Sequence, residues 1–107
     1  MHRLKPVSVL VTLRPVIRSY RHKGLKPLFE SGRTAGIDPS HCKRLLVRLD
    51  ALNHATKIED LDQPGWRLHE LKGERAGTWS LRITGNYRLT FRFEGADCFD
   101  VDYEDYH

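Results

Sequence analysis

From Trp66 onward the chain alternates apolar and polar residues with a period of two, the signature of half-buried strands. Trp66 and Leu68 oppose Arg67 and His69. Trp79, Leu81 and Ile83 oppose Ser80, Arg82 and Thr84. Tyr87, Leu89, Phe91 and Phe93 oppose Arg88, Thr90 and Arg92. Phe99, Val101 and Tyr103 oppose Cys98, Asp100 and Asp102. Successive strands, each with one apolar and one polar face, predict an antiparallel meander. The segment before it reads differently. Leu25, Leu28 and Phe29 are at helical spacing, with Pro27 in the first turn and Gly32 as the stop. Asp38 and Pro39 open a second helix as N-cap and first helical residue. Its apolar stripe is Leu45, Leu46, Leu49 and Leu52, with Lys43, Arg44, Arg48 and Asp50 facing out. Val16–Arg21 alternates like a short strand, and 58–62 reads as a helical turn. The fold class is therefore α+β: a small antiparallel sheet of about four to five strands with two N-terminal helices on one face.

The pattern also fixes a register. A two-residue turn at Gly85-Asn86 would pair Thr84 with Tyr87 and split the apolar residues between the two faces. A three-residue loop over Thr84, Gly85 and Asn86 pairs Ile83 with Tyr87 and keeps them together. The odd-length loop is the expectation. It places His69, Arg82, Arg88, Arg92, Asp100 and Asp102 on the face without helices.

The chain has 107 residues, enough for one domain with a modest core. No apolar run approaches the roughly 18 residues a membrane span needs. Residues 93–107 carry six of the 14 acids and no Lys or Arg, so all 18 basic residues precede them, against eight acids. A basic body suggests an anionic partner, nucleic acid first. Cys42 and Cys98 form no C-x-x-C pair, no zinc spacing is present, and a reducing cytoplasm fits. No cofactor or metal is expected. Residues 1–15 read as an extension, poorly ordered or adding an edge strand, with a single domain over 16–107 and Val16 a candidate start.

The chemistry gathers at the end. Asp105, Tyr106 and His107 close the chain, bringing a carboxylate, a phenol and an imidazole together. With His69 they supply groups that move protons near neutral pH. Arg82, Arg88 and Arg92, with Lys72 and Arg75 in the preceding loop, are candidate phosphate contacts. This set suits RNA cleavage. A base takes the proton of a ribose 2′-OH, that oxygen attacks the adjacent phosphorus, cations offset the charge, and an acid protonates the leaving 5′-oxygen. RNA brings its own nucleophile, and no serine or cysteine arrangement is needed.

Four segments carry a family resemblance: residues 19–26 (Ser-Tyr-Arg-His-Lys-Gly-Leu-Lys), 68–80 (Leu-His-Glu-Leu-Lys-Gly-Glu-Arg-Ala-Gly-Thr-Trp-Ser), 85–91 (Gly-Asn-Tyr-Arg-Leu-Thr-Phe) and 100–107 (Asp-Val-Asp-Tyr-Glu-Asp-Tyr-His). In this order the chain from Val16 to His107 resembles HigB-type toxins of the RelE/ParE superfamily. The resemblance implies a RelE-like fold and a ribosome-dependent endoribonuclease that cuts messenger RNA in the ribosomal A site. It implies a HigA-like antitoxin with a helix-turn-helix domain, and operator DNA contacted only through that antitoxin. The family's functional residues fall on His69, Asp105, Tyr106 and His107, and its basic ones on Lys72 and Arg88. Two alternatives stand beside this: a ParE-like gyrase poison on the same fold, and a weakly active toxin serving as antitoxin partner and co-repressor.

Overall fold

The computed structural model describes residues 16–106; the 1–15 extension and His107 lie outside the described residues. Helix α1 spans Leu25–Ser31 and α2 spans Cys42–His54. Four strands follow: β1 (His69–Glu70), β2 (Thr78–Arg82), β3 (Tyr87–Glu94) and β4 (Asp97–Asp105). They form one antiparallel sheet in chain order. Val16–Tyr20 runs parallel beside β4, with bridges Ile17–Cys98 and Tyr20–Val101.

Both helices form for local reasons. Gly24 precedes α1 because a Cβ there would meet the Ala35 carbonyl oxygen at 2.9 Å. Gly32 ends α1 in the left-handed region (φ 68°) and returns its N–H to the Leu28 carbonyl. Asp38 accepts from the Ser40 N–H at 2.9 Å, as an N-cap should. The first turn after it, Pro39–His41, is the tighter 3-10 form, and the regular helix starts only at Cys42. His41 explains the tightening. It is buried, with Nδ1 hydrogen-bonded to the Tyr103 hydroxyl at 2.5 Å and its ring 4.8 Å from that of Tyr87. Tyr87 and Tyr103 stack at 5.1 Å, and His22 meets Tyr103 edge-on at 5.3 Å. This aromatic cluster, invisible in the sequence, fastens the end of β4 to the start of α2.

Leu25, Leu28, Leu45, Leu49, Leu52, Leu81, Leu89, Phe91 and Val101 are buried between helices and sheet. Truncating one such leucine to alanine removes about 2–5 kcal/mol. The three-residue loop is as expected: the Ile83 N–H donates to the Tyr87 carbonyl at 2.8 Å, and Arg82 pairs with Arg88.

Two expectations are corrected. Arg48, placed on the exposed face of α2, is only 8% exposed. Its guanidinium folds over the Trp66 ring at 4.8 Å, and Nε donates to the Arg82 carbonyl at 2.8 Å. Arginine can bury its stem and still satisfy its N–H groups on backbone oxygens, which periodicity does not reveal. The second correction concerns β4. Its register slips opposite Thr90–Arg92, and Asp100 takes a positive φ of 54°, a bulge that reverses the alternation. Cys98, expected on the polar face, is therefore in the core, while Phe99 pairs with Arg92 on the other side. Ser19 holds the bulge by accepting the Asp100 N–H at 2.8 Å. Burial pushes the Cys98 thiol up to about 12, so it is inert.

Candidate functional site

The face without helices is built by pairing. His69 sits opposite Ser80, Ser80 opposite Thr90, and Thr90 opposite Asp102; beside this row, Arg82 faces Arg88 and Arg88 faces Glu104. Side chains two apart share a face, so one surface carries His69, Arg82, Arg88, Thr90, Arg92, Asp102 and Glu104. It is not the bare sheet the alternation suggested. Ser80 and Thr90 are 0% and 1% exposed, because long side chains lie across them.

Half of this layer is an ion-pair network. Arg75 forks onto Glu104 with N···O distances of 2.9 and 2.7 Å, and the Thr90 hydroxyl also donates to Glu104. Arg75 holds the Glu104 carboxyl below the usual carboxylate range, and Glu104 raises Arg75 in return. Arg92 pairs with Glu94, and with Asp100 at 3.8 Å. Arg75, Thr90, Arg92, Asp100 and Glu104, with Arg21, Glu74, Thr78 and Asp102, surround a cleft of about 210 Å³.

The other half is different. Arg67, Leu68, His69 and Arg88 line a shallow cleft with no carboxylate in its wall among the described residues. Arg67 is one of two non-glycine residues with positive φ (51°) among the described residues, a conformation costing about 1–3 kcal/mol. The turn presents its carbonyl to His69 Nδ1 at 2.9 Å. A carbonyl can only accept, so Nδ1 carries the proton and Nε2 of the exposed ring is left to exchange one with solvent or substrate. Arg88 is half-buried, and its Nε and Nη1 are buried without a hydrogen-bond partner among the described residues. Its guanidinium packs against the Tyr106 ring at 4.5 Å. The Tyr106 N–H is fixed by the Asn86 carbonyl at 2.5 Å. Arg88 thus joins the His69 cleft to the end of β4.

Of the residues singled out in the sequence, His69, Arg88 and Tyr106 are brought into one region, with Arg82 directly across the strand from Arg88. Lys72 is exposed in the loop before the turn Gly73–Arg75. Arg75 and Arg92 are engaged by carboxylates. Asp105 pairs with Tyr87 at the last rung of β4, on the parity of the covered face, and is exposed at its rim. His107 lies outside the described residues. Arg67 and Asn86 escaped sequence reasoning because both contribute backbone oxygens, for which composition holds no signal. Among the described residues, no group of three His, Cys, Asp or Glu side chains stands together as a metal site, and no helix is long and apolar enough to cross a membrane.

Comparison with known proteins agrees with this geometry. Residues 18–107 match the family model HigB-like toxin, described as the RelE-like toxin of the type II toxin–antitoxin system HigB. The chain is also 45% identical over 92 residues to Endoribonuclease HigB of Proteus vulgaris, an alignment covering 86% of this chain and all of that protein. Matching sequence along residues 18–107, together with an antiparallel sheet roofed on one side by two helices, establishes that the chain belongs to the HigB-like, RelE-like toxins of type II toxin–antitoxin systems.

Proposed function

We propose that this protein is an endoribonuclease toxin that cuts messenger RNA in the ribosomal A site and is held inactive by a HigA-like antitoxin bearing a helix-turn-helix domain. The observation that carries the reading is Arg88. Its Nε and Nη1 are buried and unpaired among the described residues, beside an imidazole whose Nδ1 is already committed to Arg67. Leaving charged N–H groups unsatisfied costs more than about 1–3 kcal/mol, and phosphate oxygens would satisfy them with charge-assisted hydrogen bonds. Like charges directly across a strand pair are unfavourable, so the Arg82–Arg88 rung also favours an anion. The name of the Proteus vulgaris relative, an endoribonuclease, supports the same chemistry.

In the proposed step no metal is required. His107 accepts the ribose 2′-OH proton, and the oxygen attacks the adjacent phosphorus. Arg88 and Lys72, with Arg82 beyond, offset the charge on the pentacoordinate phosphorus. His69, carrying a second proton on Nε2 taken from solvent, gives that proton to the departing 5′-oxygen, leaving a 2′,3′-cyclic phosphate and a 5′-hydroxyl. The exposed Tyr106 ring stacks on a base. An A site supplies the RNA already extended, which is why a shallow cleft suffices. In the cell the partners are the ribosome, its message and the antitoxin; operator DNA is reached through the antitoxin, and the site of action is the cytoplasm.

The test is expression of the toxin alone followed by mapping of RNA ends. New 5′-hydroxyl ends inside translated coding regions, abolished by His69→Ala, are expected. Growth arrest with intact messages and a DNA-damage response would point instead to gyrase.

A further inference from the structure

A second cationic cleft, of about 370 Å³, opens at the sheet edge between α2 and the β2–β3 loop. Arg44, Arg48 and Arg82 line it, with Gly65, Thr84 and Gly85, and no carboxylate is in its wall among the described residues. It is a built site rather than a loose patch. The Arg48 side chain is fixed by two backbone acceptors, the Arg82 carbonyl at 2.8 Å and the Arg44 carbonyl at 3.1 Å, and by the Trp66 ring. These bonds use Nε and Nη1 and leave Nη2 without a protein acceptor among the described residues. Burial and the adjacent Arg44 charge both weaken the hold of Arg48 on its proton, the mark of cations crowded without a counter-ion. A Cβ at Gly65 or Gly85 would meet nothing within 4 Å, so a polymer backbone can lie close.

We propose that this cleft is a second phosphate-binding site, which grips the RNA strand outside the catalytic cleft. The proposal rests on the nuclease reading above. Arg82 lies at both places: it lines the edge cleft and sits opposite Arg88 of the catalytic one. The Arg82 N–H donates to the Trp66 carbonyl at 2.7 Å, which holds the turn carrying Arg67, a lining residue of the catalytic cleft, next to the same cationic band. A polyanion of regularly spaced phosphates can occupy both clefts at once, whereas a single small anion would fill only one. That continuity favours RNA over an acidic protein segment.

The experiment uses the full chain and a labelled single-stranded 2′-O-methyl RNA, which lacks the attacking hydroxyl, titrated by fluorescence anisotropy at several salt concentrations. Arg44→Gln is the informative variant, because Arg44 is exposed and its backbone carbonyl still serves Arg48. Affinity should fall about three- to tenfold, and the slope of log K against log salt should shrink by about 0.7, one phosphate contact. Arg44→Lys should restore most of both. Arg88→Gln serves as the control for the catalytic cleft. If Arg88→Gln weakens binding and Arg44→Gln changes neither affinity nor slope, this second site is wrong while the nuclease reading stands. If neither variant matters, both fail. Equal weakening of binding to poly-glutamate and to RNA by Arg44→Gln would also overturn the proposal, in favour of a protein partner.

Discussion

The two halves of the open sheet face carry the same kind of residue put to opposite uses. Around Glu104, arginines are matched: Arg75 is forked onto the carboxylate, and Arg92 lies between Glu94 and Asp100. Around His69, they are not: Arg88 is half-buried with its Nε and Nη1 unpaired among the described residues, and Arg82 stands opposite it. Matched pairs near a surface add modestly to stability and do little else. Unmatched, partly buried cations are unfavourable in the folded chain, and the loss is recovered only when an anion arrives. The difference teaches that counting arginines on a face says little about where RNA binds; what matters is which of them lack a carboxylate.

The sharpest way to break this comparison is to disable the unmatched half. His69→Ala should lower cleavage about 10²–10⁴-fold, the range for loss of a positioned acid or base. Arg88→Ala should cost about 10²–10³-fold, as for loss of a charge-stabilising donor. Arg88→Lys keeps the charge but not the planar fork, so it should recover only part. Message breakage after induction measures all three, with antitoxin co-purification as the check on folding. Full toxicity of His69→Ala would remove the imidazole from the mechanism.

Next comes the matched half, where the expected effect is on stability. Glu104→Gln removes the fork to Arg75. Because the pair is partly solvent-exposed and screened, the loss at neutral pH is about 1 kcal/mol, or about 4–8 °C in Tm for a domain of this size. The pH dependence has a definite sign. Arg75 holds the folded-state carboxyl below its unfolded value of about 4.3. The contribution is therefore complete above that value and fades as pH falls below it, through the folded-state value. The gap in Tm between the native chain and Glu104→Gln should be widest near neutrality and close in acid. A gap independent of pH would mean the fork contributes nothing through charge.

How much of this was legible beforehand follows from what kind of information each feature uses. The meander, the odd-length β2–β3 loop and the two-helix cover rest on apolar periodicity, and Leu81, Leu89 and Phe91 announce themselves. The β4 bulge does not: alternation continues through Phe99, Asp100 and Val101 on paper, and only the hydrogen bond from the Asp100 N–H to Ser19, 81 residues away in sequence, reveals the slip. Arg48 reads as surface because its burial depends on the Trp66 ring and on two carbonyls. The site divides in the same way. His69, Arg88 and Tyr106 are visible as residue types, but the pairing state of each arginine is a tertiary fact. Arg75 and Arg92 look as available to phosphate as Arg88 until Glu104, Glu94 and Asp100 are seen beside them.

That last point yields the smallest and most discriminating expectation. Arg92→Gln deletes a charge from the face while leaving the His69 cleft untouched. Arg92 is exposed and already engaged by two carboxylates, so its net attraction for a phosphate is largely cancelled at close range. Stability should change by no more than about 0.5 kcal/mol, as for an exposed pair. Cleavage should fall less than about threefold, reflecting one unit of long-range charge, and that residue should vanish in moderate salt as screening sets in. Parallel assays of Arg92→Gln and Arg88→Gln, at low and at moderate salt, decide the matter. Equal, salt-resistant losses from the two variants would mean that RNA displaces the Glu94 and Asp100 contacts, and that the matched half opens to bind substrate as well.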